Sequence, residues 1–220
     1  MRVEQVKKSY GKKEILKSVS FYGEPGDCVG IIGANGCGKS TLLAVLSGVL
    51  RADGGRFCYE GKSLLDNPAA RSSIVGYVPQ SCPLIEELTA KDNLRLWYSK
   101  QDMQKSLSDG VLSMLGIDSF IKTPVCKMSG GMQKRLAIGC SMASDPKVLL
   151  LDEPGAALDI VCKENIARYL EKYRADGGIV VIATHDTGEL NMCNRLYILK
   201  NGYLTPYEYD GNIRRLAGSL

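Results

Sequence analysis

Residues 29–47, VGIIGANGCGKSTLLAVLS, decide how the rest of the chain reads. Val29, Ile31 and Ile32 make a short apolar run of the buried-strand type, and Leu42, Leu43, Val45 and Leu46 follow in a helix-compatible segment. Between them Gly33-Ala34-Asn35-Gly36-Cys37-Gly38-Lys39-Ser40 is a full match to the phosphate-binding loop pattern. The chemistry dictates these residue types. Glycine takes left-handed backbone angles and lets the main chain come close to an anion. Successive N–H groups then line a nest at a helix N-terminus, whose dipole favours negative charge. Lys39 is expected to reach the terminal phosphates as a point charge, and Ser40 to offer its hydroxyl to Mg²⁺. Cys37 lies within the nest and is expected to be accessible.

Outward from this loop, the first 32 residues read as strands and turns, with strand signals at 3–6 and 15–21. The first helix is expected over 39–50, weakened at Gly48, and short strands at 56–59 and 74–78. From about residue 81 to 145 the texture turns helical. Thr89 and Asp92 form a capping-box-like start, and Leu107, Val111, Leu112 and Leu115 recur at helical spacing up to Gly116. Buried-strand runs return at 148–151 and 179–184, separated by a helix carrying Ile166, Leu170 and Tyr173. Asn201-Gly202 marks a hairpin turn. Buried strands alternating with helices predict an α/β fold with a mostly parallel sheet. One domain over 1–220 is expected: a core of 1–80 and 146–220 with an N-terminal antiparallel β part, and an inserted helical subdomain at 81–145.

The strand at 148–151 runs straight into Asp152-Glu153. In open α/β sheets ligands bind at the carboxyl ends of strands, which is where a magnesium-directed acid belongs. Neighbouring side chains there point apart, so Asp152 is expected to serve the metal and Glu153 to polarise a water for attack on a γ-phosphate.

Bulk properties fit this reading. The chain has 220 residues, 45% hydrophobic and 24% charged, with a net charge of +4 and no strong basic block, so nucleic acid is not an expected partner. No run reaches the ~18 apolar residues that span a bilayer. With no signal-peptide pattern at the N-terminus, a cytoplasmic location is expected. Eight cysteines show no CxxC pairing and are expected to be reduced.

Further elements follow in order: Gln80 in YVPQ, Ser129-Gly130-Gly131 before a helix, LLLDEP at 149–154, Leu158-Asp159, and the only histidine, His185, in ATHD. Together with GANGCGKST at 33–41 they strongly resemble the nucleotide-binding domain of ATP-binding cassette (ABC) transporters, over residues 1 to about 204. The resemblance implies ATP and Mg²⁺ as ligands. It places Gly33, Asn35, Gly36, Cys37, Gly38, Lys39, Ser40 and Thr41 on the nucleotide and Tyr10 on the adenine ring. It assigns Ser40, Gln80 and Asp152 to the metal, and Glu153, His185, Lys39 and Gln80 to hydrolysis. Gln80 would touch both Mg²⁺ and the attacking water, and His185 the γ-phosphate. Ser129, Gly130 and Gly131 would cover the γ-phosphate held by another subunit in a head-to-tail dimer, with Asp159 reading across the interface. Taken alone, Ser129 is a helix cap and Tyr10 a strand tyrosine. Three positions depart from the family: Met132 replaces a usual glutamine, and Gly155 and Ala156 replace a common threonine and serine.

The implied function is an ATPase subunit that dimerises with itself or a paralogous subunit and powers a separate integral membrane permease. Residues 81–100, with Leu84, Ile85, Leu94 and Trp97, are the expected docking surface, with internal packing as the alternative. The compact length looks most like drug-export cassettes. A soluble ATPase of the same superfamily acting on DNA would need a long coiled-coil insertion, and one acting on ribosomes a second cassette; the sequence has neither. A non-hydrolysing regulator would not need Glu153 and His185.

Overall fold

Five consecutive buried residues in each of three strands set the layout: Cys28–Ile32, Val148–Asp152 and Ile179–Ala183. A strand apolar on both faces has to be covered on both faces. The computed structural model, which describes residues 1–219, shows how. In chain order the strands are β1 (Arg2–Tyr10), β2 (Lys13–Tyr22), β3 (Cys28–Ile32), β4 (Gly54–Tyr59), β5 (Lys62–Ser63), β6 (Val75–Val78), β7 (Val148–Asp152), β8 (Ile179–Ala183), β9 (Arg195–Lys200) and β10 (Tyr203–Pro206). Among the described residues they form one sheet in the order β5-β4-β1-β2-β10-β9-β3-β8-β7-β6. The half from β9 to β6 is parallel; β5, β4, β1 and β2 pair antiparallel. The halves join where Tyr203 pairs with Ser18.

The helices are α1 (Lys39–Ser47), α2 (Pro68–Ile74), α3 (Ala90–Leu94), α4 (Lys100–Asp109), α5 (Val111–Met114), α6 (Gly130–Ser141), α7 (Ile160–Ala175), α8 (Thr187–Met192) and α9 (Ile213–Ser219). Side-chain alternation sends Val148, Leu150 and Val181 to one face of the sheet, where they meet Leu42, Leu43 and Leu46 of α1. Leu149, Leu151, Val180 and Ile182 face the other side and meet Leu136 and Ile138 of α6 and Ile166 and Leu170 of α7. Parallel neighbours β6 and β7 are connected by the whole run α3–α6, so the helical stretch is an enlarged crossover.

Some boundaries differ from the sequence reading. Helix α1 stops at Ser47 rather than 50, because Gly48 caps it in the left-handed region at φ 84°. Periodicity across 107–115 suggested one helix, but Gly110 is extended and splits it into α4 and α5. Asn67 and Pro68 start α2, which periodicity did not reveal; the Asn67 side chain accepts from the Ala70 N–H. No helix among the described residues is long and apolar enough to cross a membrane.

Candidate functional site

Parallel register puts the carboxyl ends of β3, β7 and β8 side by side, with Asp152 level with Ala183 and Ile31. Each of those ends carries a piece of the candidate site. After β3, Gly36 and Gly38 take φ +76° and +114°, and a Cβ on Gly38 would lie 2.8 Å from Ile15 Cγ2. Only glycine satisfies both demands there. The loop curls back on itself through a Cys37 N–H to Ala34 carbonyl bond of 3.1 Å. Cys37 is half-buried, whereas Asn35, Gly36 and Ser40 are exposed and Thr41 is half-buried.

Lys39 is buried at 7% exposure, and its ammonium donates to the Gly33 carbonyl at 2.7 Å and to His185 Nε2 at 2.9 Å. An ammonium only donates, so Nε2 is the acceptor here and the ring proton sits on Nδ1. The Lys39–His185 contact joins the phosphate loop to the turn after β8. His185 Nε2 also stands 3.7 Å from Glu153 Oε1. Glu153 itself adopts φ 48°, unusual for a side chain with a Cβ, and is held there by its N–H donating to the Ala183 carbonyl at 2.9 Å. Strain of this sort concentrates at functional turns, and here it turns Glu153 away from the direction of Asp152.

Asp152 is 2% exposed, and its Oδ1 is buried with no hydrogen-bond partner among the described residues. Burial and, second, this carboxylate push Tyr77 up to about 12. An orphaned buried carboxylate oxygen at a strand end suits a hard divalent cation, and Ser40, exposed at the start of α1, offers a further oxygen, so these donor types fit Mg²⁺.

Lys39, Glu153 and His185 are thus brought together, with Asp152 at the adjoining strand end. Gln80 follows β6, whose Val78 pairs with Leu151 next to Asp152, and among the described residues no hydrogen bond joins Tyr10, Gln80, Ser129 or Asp159 to this cluster. Tyr10 ends β1, 49% exposed, with Lys8 Nζ 5.8 Å from its ring centroid. Gln80 is exposed, and its side chain has no hydrogen bond among the described residues. Ser129 caps α6 by accepting from the Met132 N–H at 3.3 Å, and among the described residues no hydrogen bond links it to the phosphate loop. Gly130 is exposed, while Gly131 is buried where a Cβ would clash with Cys162 Sγ of α7. Asp159 caps α7 by accepting from the Cys162 N–H at 2.8 Å, a bond that holds its carboxyl below the usual range. Met132 is half-buried against the helical core and Ala156 is exposed.

Two residues at the site gave no sequence signal. Lys134 is buried on α6 and donates to the Pro79 and Gln80 carbonyls. Glu189 on α8 lies against Gly155, whose Cβ would fall 2.5 Å from its Oε1. Burial pushes the Glu189 carboxyl up to about 7, with the charges of Asp186 and Glu153 adding to the rise. A carboxyl that holds its proton more tightly folded than unfolded loses stability as pH rises from its ordinary value through 7. Glu189→Gln should therefore gain on wild type by about 3 kcal/mol between pH 4.5 and 8. Denaturant melts at the two pH values measure this; a constant difference would contradict it.

In sequence, the ABC transporter family profile matches residues 16–156. Linearmycin resistance ATP-binding protein LnrL of Bacillus subtilis is 31% identical over 92% of this chain and 67% of its own length. Lantibiotic transport ATP-binding protein SrtF of Streptococcus pyogenes is 29% identical over 96% of this chain and 92% of its own. A dimeric ATP-binding cassette solved in a post-hydrolysis state with ADP and Pi superposes with TM-score 0.84 at 29% identity, covering 94% of this chain and 97% of that one. Profile, relatives and fold converge with the phosphate loop and the Asp152-Glu153 strand end: this chain belongs to the ABC transporter family, as an ATP-binding subunit that hydrolyses ATP.

Proposed function

We propose that this subunit acts as a head-to-tail dimer, with itself or with a paralogous ATPase subunit, and that ATP-driven closure of the dimer works a separate integral membrane permease. The observation that carries this reading is the separation of two anion-suited helix starts in one chain. The phosphate loop opens α1, whereas Ser129 and Gly130 open α6 with exposed backbone and no bond to that loop. A γ-phosphate held by one copy's loop can be capped by the other copy's α6, which makes closure depend on ATP. Leu158 and Asp159, at the start of α7 beside α6, belong to the same face.

In this reading the loop N–H groups and Lys39 hold the phosphates, Tyr10 stacks on adenine, and Glu153 orients the attacking water and takes its proton. Lys39 leaves the Gly33 carbonyl and His185 for phosphate oxygens; released from Lys39, the imidazole carries its proton on Nε2 instead of Nδ1 and donates it to the γ-phosphate. Ser40, Asp152 and Gln80 would hold Mg²⁺, which supplies positive charge to the developing phosphate anion. Residues 81–145 form the moving helical subdomain. The subunit works at the inner face of the cell membrane, held there by the permease, and needs no nucleic acid. Export is the favoured direction, on the name of a further relative, Nod factor export ATP-binding protein I of Sinorhizobium fredii, 31% identical over 92% of this chain and 60% of its own length.

Within 81–100 the docking alternatives separate by residue. Leu94 is fully buried, while Ile85, Leu96 and Trp97 are 43%, 58% and 64% exposed. A photo-reactive amino acid placed at Leu96 should form an adduct with a multi-span membrane protein in native membranes. Adducts with soluble proteins alone would count against the transporter reading.

A further inference from the structure

Helix α6 carries three consecutive polar residues that reach in three directions. Gln133 Nε2 donates to the Val125 and Met128 carbonyls at 3.3 Å, and Arg135 Nη1 to the Leu115 carbonyl at 2.9 Å. Both hold α6 to its own helical stretch. Lys134 between them crosses to the end of β6, where its Nζ donates to the Pro79 and Gln80 carbonyls at 3.1 Å each. It is 5% exposed and makes no ion pair among the described residues. A buried cation solvated only by two carbonyls is costly to keep for stability alone, since apolar replacements of buried charges are often neutral or better.

We propose that Lys134 is a positioning residue, the strut through which the Gln80 loop and the SGG helix move as one. The proposal rests on the function given above and assigns the link within it. Holding the Gln80 main chain while its side chain stays free lets the amide follow the γ-phosphate and Mg²⁺. Any shift of that loop is then delivered to α6, and through Gln133 and Arg135 to the rest of the helical stretch. Pro79 is half-buried and Gln80 exposed, so without the ammonium water can reach their carbonyls, and the loop and helix are free to move separately.

The chain supplies its own reporter. Trp97 is the only tryptophan, and it lines a groove of about 390 Å³ together with Pro79, Leu84, Ala137 and Cys140. Its walls thus come from both sides of the strut. Intrinsic fluorescence of the full chain should shift when a non-hydrolysable ATP analogue with Mg²⁺ binds. In Lys134→Met that shift should vanish while analogue affinity stays within about twofold and the melting temperature is unchanged. The value of kcat should fall about tenfold, the scale of one charge-assisted hydrogen bond. Lys134→Arg should restore the shift. A full Trp97 response in Lys134→Met overturns the strut, as does a wild-type Trp97 that ignores the analogue. Failure of the underlying site reading looks different: Gln80→Ala would then hydrolyse ATP at the wild-type rate, whatever the fluorescence of Lys134→Met.

Discussion

Glu153→Gln is expected to bind ATP as wild type does, to lose at least about 100-fold in kcat, and to elute as a dimer when loaded with Mg-ATP. Loss on this scale is what removing a positioned general base produces. Glutamine keeps the shape of the side chain, and the backbone bond that sets φ 48° comes from the Glu153 N–H rather than from its carboxylate. The fold of the turn therefore survives, and the missing property is the ability to accept a proton from water. With turnover blocked, the closed state is no longer consumed, so its population becomes visible on a sizing column. Phosphate release and elution volume are the two measurements. Near-wild-type hydrolysis would remove Glu153 from the mechanism. A monomer at saturating ATP would leave the hydrolytic role standing and discredit the shared site.

Lys39→Ala should lower ATP affinity by at least about 100-fold, read by equilibrium binding of a fluorescent ATP analogue. The side chain supplies charge-assisted hydrogen bonds to phosphate oxygens, each worth about 1.5–3 kcal/mol. Among the described residues no carboxylate is bonded to it; the partners are the Gly33 and Ala34 carbonyls and His185. Nothing in the loop competes with phosphate as a counter-charge for the ammonium, so most of its interaction energy is available to the nucleotide. An affinity within threefold of wild type would show that the nest alone carries binding.

Much of the site was readable because its residues are fixed by local demands. The glycines at 36 and 38 are required by backbone angle, and Asp152-Glu153 by their place at the end of an all-apolar strand. Two caps were readable too: Thr89 and Ser129 each accept from an N–H three residues on, whereas the Asp159 cap on α7 came only from the structure. What the sequence hid were residues whose meaning depends on a distant partner. Lys134 looks like a surface lysine until α6 packs beside β6, and Glu189 like a solvent-facing acid until α8 meets the turn holding Gly155. The 107–115 periodicity read through Gly110 because an apolar pattern does not record a break that keeps the same face inward.

From the amino-acid order alone come the phosphate loop, the α/β class and the family, since each rests on short local patterns and on their order along the chain. Tertiary structure alone decides that Lys39, His185 and Glu153 meet, because parallel pairing of β3, β8 and β7 aligns three strand ends far apart in sequence. It also decides that Gly131 serves packing against Cys162 while Gly130 stays open, and that Leu94 is core while Trp97 faces out. Burial is a property of the assembled layers, and a helix shows which of its faces is covered only once the sheet beneath it exists.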